Sequence, residues 1–93
     1  MIIIVQHIVR DFDAWKAVFD EHGDTRRRHG VTGHELYQGL SDPNEITVIN
    51  HLPSKEQAEA FAADPSLKEA MERGGATSEP RISWAVKAES VDY

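Results

Sequence analysis

Three residues that can move a proton or hold an oxygen atom fall where pleated strands would carry them: His7, Tyr37 and Asn50. His7 is the only ionisable side chain in the aliphatic run Ile2-Ile-Ile-Val-Gln-His-Ile-Val9. A histidine in such a run is either a core residue with its hydrogen bonds satisfied or a general base facing a cavity. Tyr37 and Asn50 supply a phenol and an amide that can orient substrate oxygens. A base with an oxyanion partner is the minimum needed to form and hold an enolate. Trp15, Phe19, Phe61 and Trp84 are the candidate walls of a substrate pocket. Core packing accounts for most aromatic residues. Buried indole N–H and phenol O–H groups need partners, however, and an apolar pocket with a few polar tips would suit a planar organic ligand.

His34 and His51 form a second constellation. If Leu40 faces Glu45 across a hairpin, then Gln38 faces Thr47, Leu36 faces Ile49 and His34 faces His51. His34 and His51 then share one face of the sheet, and Tyr37 and Asn50 share the other. An opposed histidine pair can hold a divalent metal by two imidazoles. No third ligand from this chain is evident, so the expected role is packing at a subunit interface. There two imidazolium ions would repel and make association pH-sensitive. No metal and no cofactor is assigned from the sequence.

The elements that must position these residues read as two βαβ half-units, Ile2–Leu40 and Glu45–Ala88, joined at Ser41-Asp42-Pro43-Asn44. The first strand, residues 2–9, is apolar on both faces, which predicts that both are covered. Asp11 is an N-cap for a helix whose stripe is Phe12, Trp15, Val18, Phe19 and His22, with an interruption at Gly23 and an end at Gly30. The second strand spans about Val31–Leu40 and the third Glu45–Leu52. Ser54-Lys-Glu-Gln57 is a capping box for the next helix, and Asp64-Pro65 restarts a short helix that stops at Gly74-Gly75. A last strand is expected over Arg81–Ala88. The order β-α-β-β-α-β is the split βαβ, or ferredoxin-like, pattern: an α+β fold with a four-stranded antiparallel sheet ordered 4-1-3-2.

Ninety-three residues make one domain, 1–93, too small to cover a sheet on both sides by itself. A second copy on the bare face is therefore expected. There is no cysteine, hence no disulfide framework and no thiol nucleophile. The formal charge of −6 argues against a nucleic-acid partner. The basic run Arg26-Arg27-Arg28-His29 is read as the solvated end of the first helix, opposing its dipole. No apolar run is long enough for a membrane span and no basic leader precedes the first strand, so a cytoplasmic location is expected.

Three segments carry a further likeness. They are His7-Ile-Val-Arg-Asp11-Phe-Asp-Ala-Trp15-Lys-Ala-Val-Phe19-Asp, Ser41-Asp42-Pro43-Asn44-Glu45, and Ala60-Phe61-Ala-Ala-Asp64-Pro65-Ser-Leu67-Lys-Glu-Ala-Met71, followed by Gly75 and Pro80. Through them the chain resembles the dimeric α/β-barrel proteins, a group that includes antibiotic-biosynthesis monooxygenases and small polyketide cyclases. The resemblance implies a homodimer in which two ferredoxin-like sheets close face to face, each subunit keeping a pocket between helices and sheet. His7, Tyr37 and Asn50 would line that pocket, with His34 and His51 on the barrel side. In the plant-type cyclases of this fold the catalytic tyrosine and histidine would fall at Phe61 and Leu67, which cannot move a proton, so that mechanism does not transfer. The cofactor-free monooxygenases hold a polycyclic phenol by hydrogen bonds while it reacts with oxygen, and Asn50, Trp15 and Tyr37 are similar residue types. The asparagine, tryptophan and histidine of the haem-degrading relatives have no matching spacing here.

The resulting expectation is a pocket-bearing homodimer that binds or transforms a small, largely apolar, aromatic or polyketide-like molecule, as a cyclase or a cofactor-free monooxygenase. The alternatives are a non-catalytic binding or stress-associated dimer and, third, a metal-binding dimer centred on His34 and His51.

Overall fold

The computed structural model describes all 93 residues, Met1–Tyr93. In chain order the elements are β1 (Ile2–Ile8), α1 (Phe12–Glu21), α2 (Gly23–Arg28), β2 (Gly33–Gln38), β3 (Glu45–His51), α3 (Lys55–Ala63), α4 (Pro65–Arg73) and β4 (Arg81–Ala85). The sheet is antiparallel and ordered β2-β3-β1-β4, the ferredoxin-like arrangement that the sequence pattern predicts. Local signals start the helices where expected. Asp11 caps α1 by accepting from the Ala14 amide at 2.9 Å, Ser54 caps α3 through the Gln57 amide, and Asp64 caps α4 through the Ser66 amide. The first helical segment does break in two, with His22 at the junction in front of Gly23.

Helices cover one face of the sheet only. That face is built from three rows of directly opposed residues: His34–Asn50–Ile3–Trp84, Leu36–Val48–Val5–Ile82, and Gln38–Ile46–His7. Ile3, Val5, Ile46 and Val48 are buried beneath the helices with Phe61 and Trp15. The other face carries Ile2, Ile4 and Ile49 at its centre, with Ile4 directly opposite Ile49. Thr47, Gln6 and the pair His51–Glu35 ring this apolar centre, the histidine Nε2 lying 2.6 Å from the carboxylate. Nothing within one chain covers this second face.

The hairpin register differs from expectation by one residue. Gly33 faces His51, His34 faces Asn50, and Leu36 faces Val48. Leu40 does not pair; it points wholly into solvent. The closing contact is the Gly39 amide donating to the Glu45 carbonyl at 2.8 Å. Asp42 folds the loop by accepting from the Asn44 amide, and Asn44 then clasps the β1–α1 connection, accepting from the Phe12 amide at 2.9 Å. The turn thus consumes one more residue than a tight connection would. Because side chains alternate with period two, one residue of slip turns every β2 side chain over.

β2 and β4 are also shorter than read from the sequence. β4 stops at Ala85, and Val86 beyond it is largely exposed. Val9 joins the sheet only by a bridge to Ala76.

Candidate functional site

Between the helix-facing rows and the helices lies an apolar cavity. Its floor is Val5, His7, Val48 and Asn50; α1 and α2 contribute Trp15, Val18, Phe19, His22 and Arg26; Phe61, Leu67, Ala70 and Met71 close the far side. The free space is small. The centre of a water-sized sphere ranges over about 50 Å³, room for a few waters or one small ring without movement of the helices.

Three polar atoms on this floor have no hydrogen-bond partner in the protein although they are sealed from solvent: both ring nitrogens of His7 and Oδ1 of Asn50. Almost all buried polar groups are paired, because an unmade bond leaves the desolvation cost of about 1–3 kcal/mol uncompensated. Two such residues on one cavity floor leave hydrogen-bonding capacity facing the cavity, which water or a ligand would take up. Burial holds the His7 imidazole below its ordinary pKa, so the ring is neutral at pH 7 and can accept a proton or a hydrogen bond. Trp15 meets it edge-on at 6.0 Å between ring centres. Asn50 lies four residues further along, beyond the Val5–Val48 row. At about 3.3 Å per residue that is roughly 13 Å of strand, so the two groups stand at opposite ends of the cavity.

The Asn50 end is cationic. His34, directly opposite Asn50, packs edge-on against Phe19 at 5.0 Å, and the Arg26 guanidinium carbon lies 3.8 Å from the centre of the same ring. Arg26 is only 7% exposed and has no carboxylate partner. Burial and the neighbouring Arg26 charge both push His22 and His34 below the ordinary histidine pKa. Polar contacts pin α4 to the α1–α2 segment across the cavity: His22 Nε2 lies 3.0 Å from Ser66 Oγ and His29 Nε2 lies 2.7 Å from Asp64 Oδ2. The hydrogen bonds from His29 and Ser66 hold the Asp64 carboxyl well below the usual carboxylate range.

The structure therefore brings together His7, Asn50, Trp15, Phe19 and Phe61, and leaves out two other candidates. Tyr37 lies on the uncovered face, opposite Thr47 and 54% exposed, because the hairpin slip turned it away from Asn50. Trp84 is on the helix side but on the edge strand beyond Ile3. It is 41% exposed and does not line the cavity. His34 and His51 do not form a pair, since the same slip puts them on opposite faces. No cluster of three or more His, Cys, Asp or Glu side chains that could hold a metal occurs in the structure. The basic run is not uniformly solvated either. Arg27 pairs with Asp24 and Arg28 donates to Thr25, while Arg26 turns inward. Two signals in the sequence point to these outcomes. Positions 12, 15, 19, 22 and 26 continue one helical stripe through the break, and the expected register would have set charged Glu35 among the core-facing residues.

The same architecture occurs in known structures. The chain superimposes on a protein from Bordetella bronchiseptica assigned provisionally to the antibiotic-biosynthesis monooxygenases, with a TM-score of 0.77 at 14% identity over 95% of this chain and 96% of that one. It superimposes on SnoaB, a cofactor-independent oxygenase from Streptomyces nogalater, with a TM-score of 0.71 at 16% identity over 94% and 93%. A provisionally assigned monooxygenase from Deinococcus radiodurans gives 0.67 at 15% identity over the full length of both chains. The fold is that of these ferredoxin-like proteins. No protein-family model matches the chain, and no curated protein is significantly similar to it in sequence. No helix is long and apolar enough to cross a membrane.

Proposed function

We propose that this chain binds a small, largely apolar aromatic molecule in the cavity between helices and sheet, and that it does so as a homodimer. The observation that carries the reading is the set of three sealed, unpartnered polar atoms of His7 and Asn50 on the floor of one apolar cavity. A ligand with an acidic C–H or O–H at one end and a hydrogen-bond donor at the other would meet both the His7 ring and Oδ1 of Asn50. Neutral His7 would take or share the proton, Oδ1 of Asn50 would accept from the distant donor, and Trp15, Phe19 and Phe61 would pack on the ring. The fold shared with a cofactor-independent oxygenase supports a reaction in which the bound anion meets oxygen directly; cyclisation through an enolate uses the same groups. If no turnover occurs, the same contacts serve a binding protein. The uncovered Ile2–Ile4–Ile49 centre of the sheet, which a second copy would bury, supports the dimer.

The reading is tested by filling the cavity. Ala70 lines it, and Ala70→Phe places a ring there. A small aromatic acid at 100-fold excess over its Kd should stabilise the wild-type protein by about 2.7 kcal/mol, and should leave Ala70→Phe unmoved although that variant stays folded. Equal stabilisation of both proteins would place the ligand elsewhere and defeat the proposal.

A further inference from the structure

Arg26 is the buried group that the site described above leaves without a task. The residue is 7% exposed, lines the cavity, donates no side-chain hydrogen bond within the protein and has no carboxylate within ion-pair distance, the Asp20 charge acting on it only from further away. Its one close contact is the Phe19 ring. A cation–π contact contributes about 0.5–2 kcal/mol, whereas withdrawing an ion from water costs several. The basic run offers the comparison: Arg27 and Arg28 are exposed and each has a protein partner, while the one arginine turned inward has none. The guanidinium also forms part of an outer groove with Gly23, Val31, Thr32 and His34. It therefore stands between solvent and cavity, where an entering anion would meet it.

We infer that Arg26 makes the cavity selective for monocarboxylates with a compact aromatic body. The carboxylate takes the two parallel N–H donors of Arg26, and the ring lies over Val5 and Val48 toward Trp15 and His7. A single negative charge matches the single unpaired cation. A phosphate dianion would enter with an uncompensated charge, and the site has no second free arginine and no glycine-rich cradle for it. Arg26 and Asn50 fall at the same end of the cavity, linked through Phe19 and His34, where the acid would face the Asn50 N–H2 group and not its Oδ1. This rests on the proposed ligand role of the cavity and adds the charge of what enters it.

The test uses the full chain, with benzoate and phenylacetate as probes, their neutral amides as controls and sodium sulfate as an anion without a ring. Binding is read by calorimetry and by thermal shift at constant ionic strength. Wild-type protein should bind the acids roughly tenfold to a hundredfold more tightly than the amides, the span of a charged hydrogen-bonded contact. Arg26→Gln should erase that preference while keeping the weak binding of the amides. Arg26→Lys, which keeps the charge without the planar fork, should restore part of it and guards against a folding defect in the glutamine variant. Equal binding of acids and amides by the wild type would overturn the role of Arg26 and leave the cavity reading standing. A shift by sulfate equal to that by benzoate would mean a general anion site and would also overturn it. Failure of acids and amides alike to bind would overturn both this inference and the reading beneath it.

Discussion

His7 carries the sharpest consequence of burial. Its neutral ring fits the cavity floor, and its protonated form does not, because no anion or acceptor stands beside it. The unfolded chain binds a proton at the ordinary histidine pKa of about 6.5, and the folded chain binds it only at lower pH. In that interval the unfolded state holds more protons, so stability falls as pH falls. The contribution is complete above about pH 6.5 and is lost as pH drops through the lowered folded value. His22 and His34 act in the same direction. We expect denaturant titrations of His7→Leu to show equal or higher stability at pH 7.5 and a shallower acid-side decline, with His22, His34 and, at lower pH, Asp64 contributing to the slope that remains. Loss of stability at pH 7.5 by more than about 2 kcal/mol would mean that the imidazole is paired in solution. Arg26 belongs to the same scale. Its neighbours Arg27 and Arg28 are identical to it in type, and helical phase alone separates the buried cation from the exposed ones.

Single elements were legible where a local rule acts. Asp11, Ser54 and Asp64-Pro65 each start a helix because a side-chain oxygen meets an orphan amide, and that rule needs no knowledge of the fold. The hairpin register was not legible in the same way. It depends on how many residues the loop absorbs, and Asn44 is claimed by the β1–α1 connection, a contact between segments 32 residues apart. An error of one residue there puts Tyr37 into the site and takes His34 out of it. The true register makes a direct prediction at Gly39. A Cβ there would lie 2.9 Å from the Asp42 carbonyl oxygen and 3.2 Å from Glu45 Cβ, so Gly39→Ala should cost about 1–3 kcal/mol. In a domain of this size that lowers Tm by about 4–8 °C per kcal/mol. A Cβ added at Gly33 would meet nothing within 4 Å, and Gly33→Ala should be close to neutral. Thermal melts of the two variants that failed to differ would contradict the hairpin geometry.

At the scale of the molecule, the uncovered sheet face organises the rest. Strand β1 is apolar on both sides, yet helices cover only the side bearing Ile3, Val5 and His7. The opposite side places Ile4 against Ile49 at its centre, with polar residues around them. This is the distribution of an interface with an apolar middle and a polar rim. Sedimentation equilibrium should give twice the chain mass for the wild type, and Ile49→Lys should shift it toward the monomer. A wild-type protein that stays monomeric at high micromolar concentration would remove the dimer. His51 and Glu35 lie on this face rather than opposite His34, so the pH-sensitive histidine pair expected from the sequence is replaced by an ion-pair geometry.

The functional reading centres on the cavity and its unpartnered imidazole, and histidine side-chain nitrogen NMR reaches them most directly. The His7 ring signals, assigned by comparison with His7→Leu, should report a ring that protonates only below the ordinary histidine pKa, and they should move when a small aromatic acid is titrated in. A His7 ring that titrates like an exposed histidine, and whose nitrogens ignore every ligand the protein binds, would contradict it.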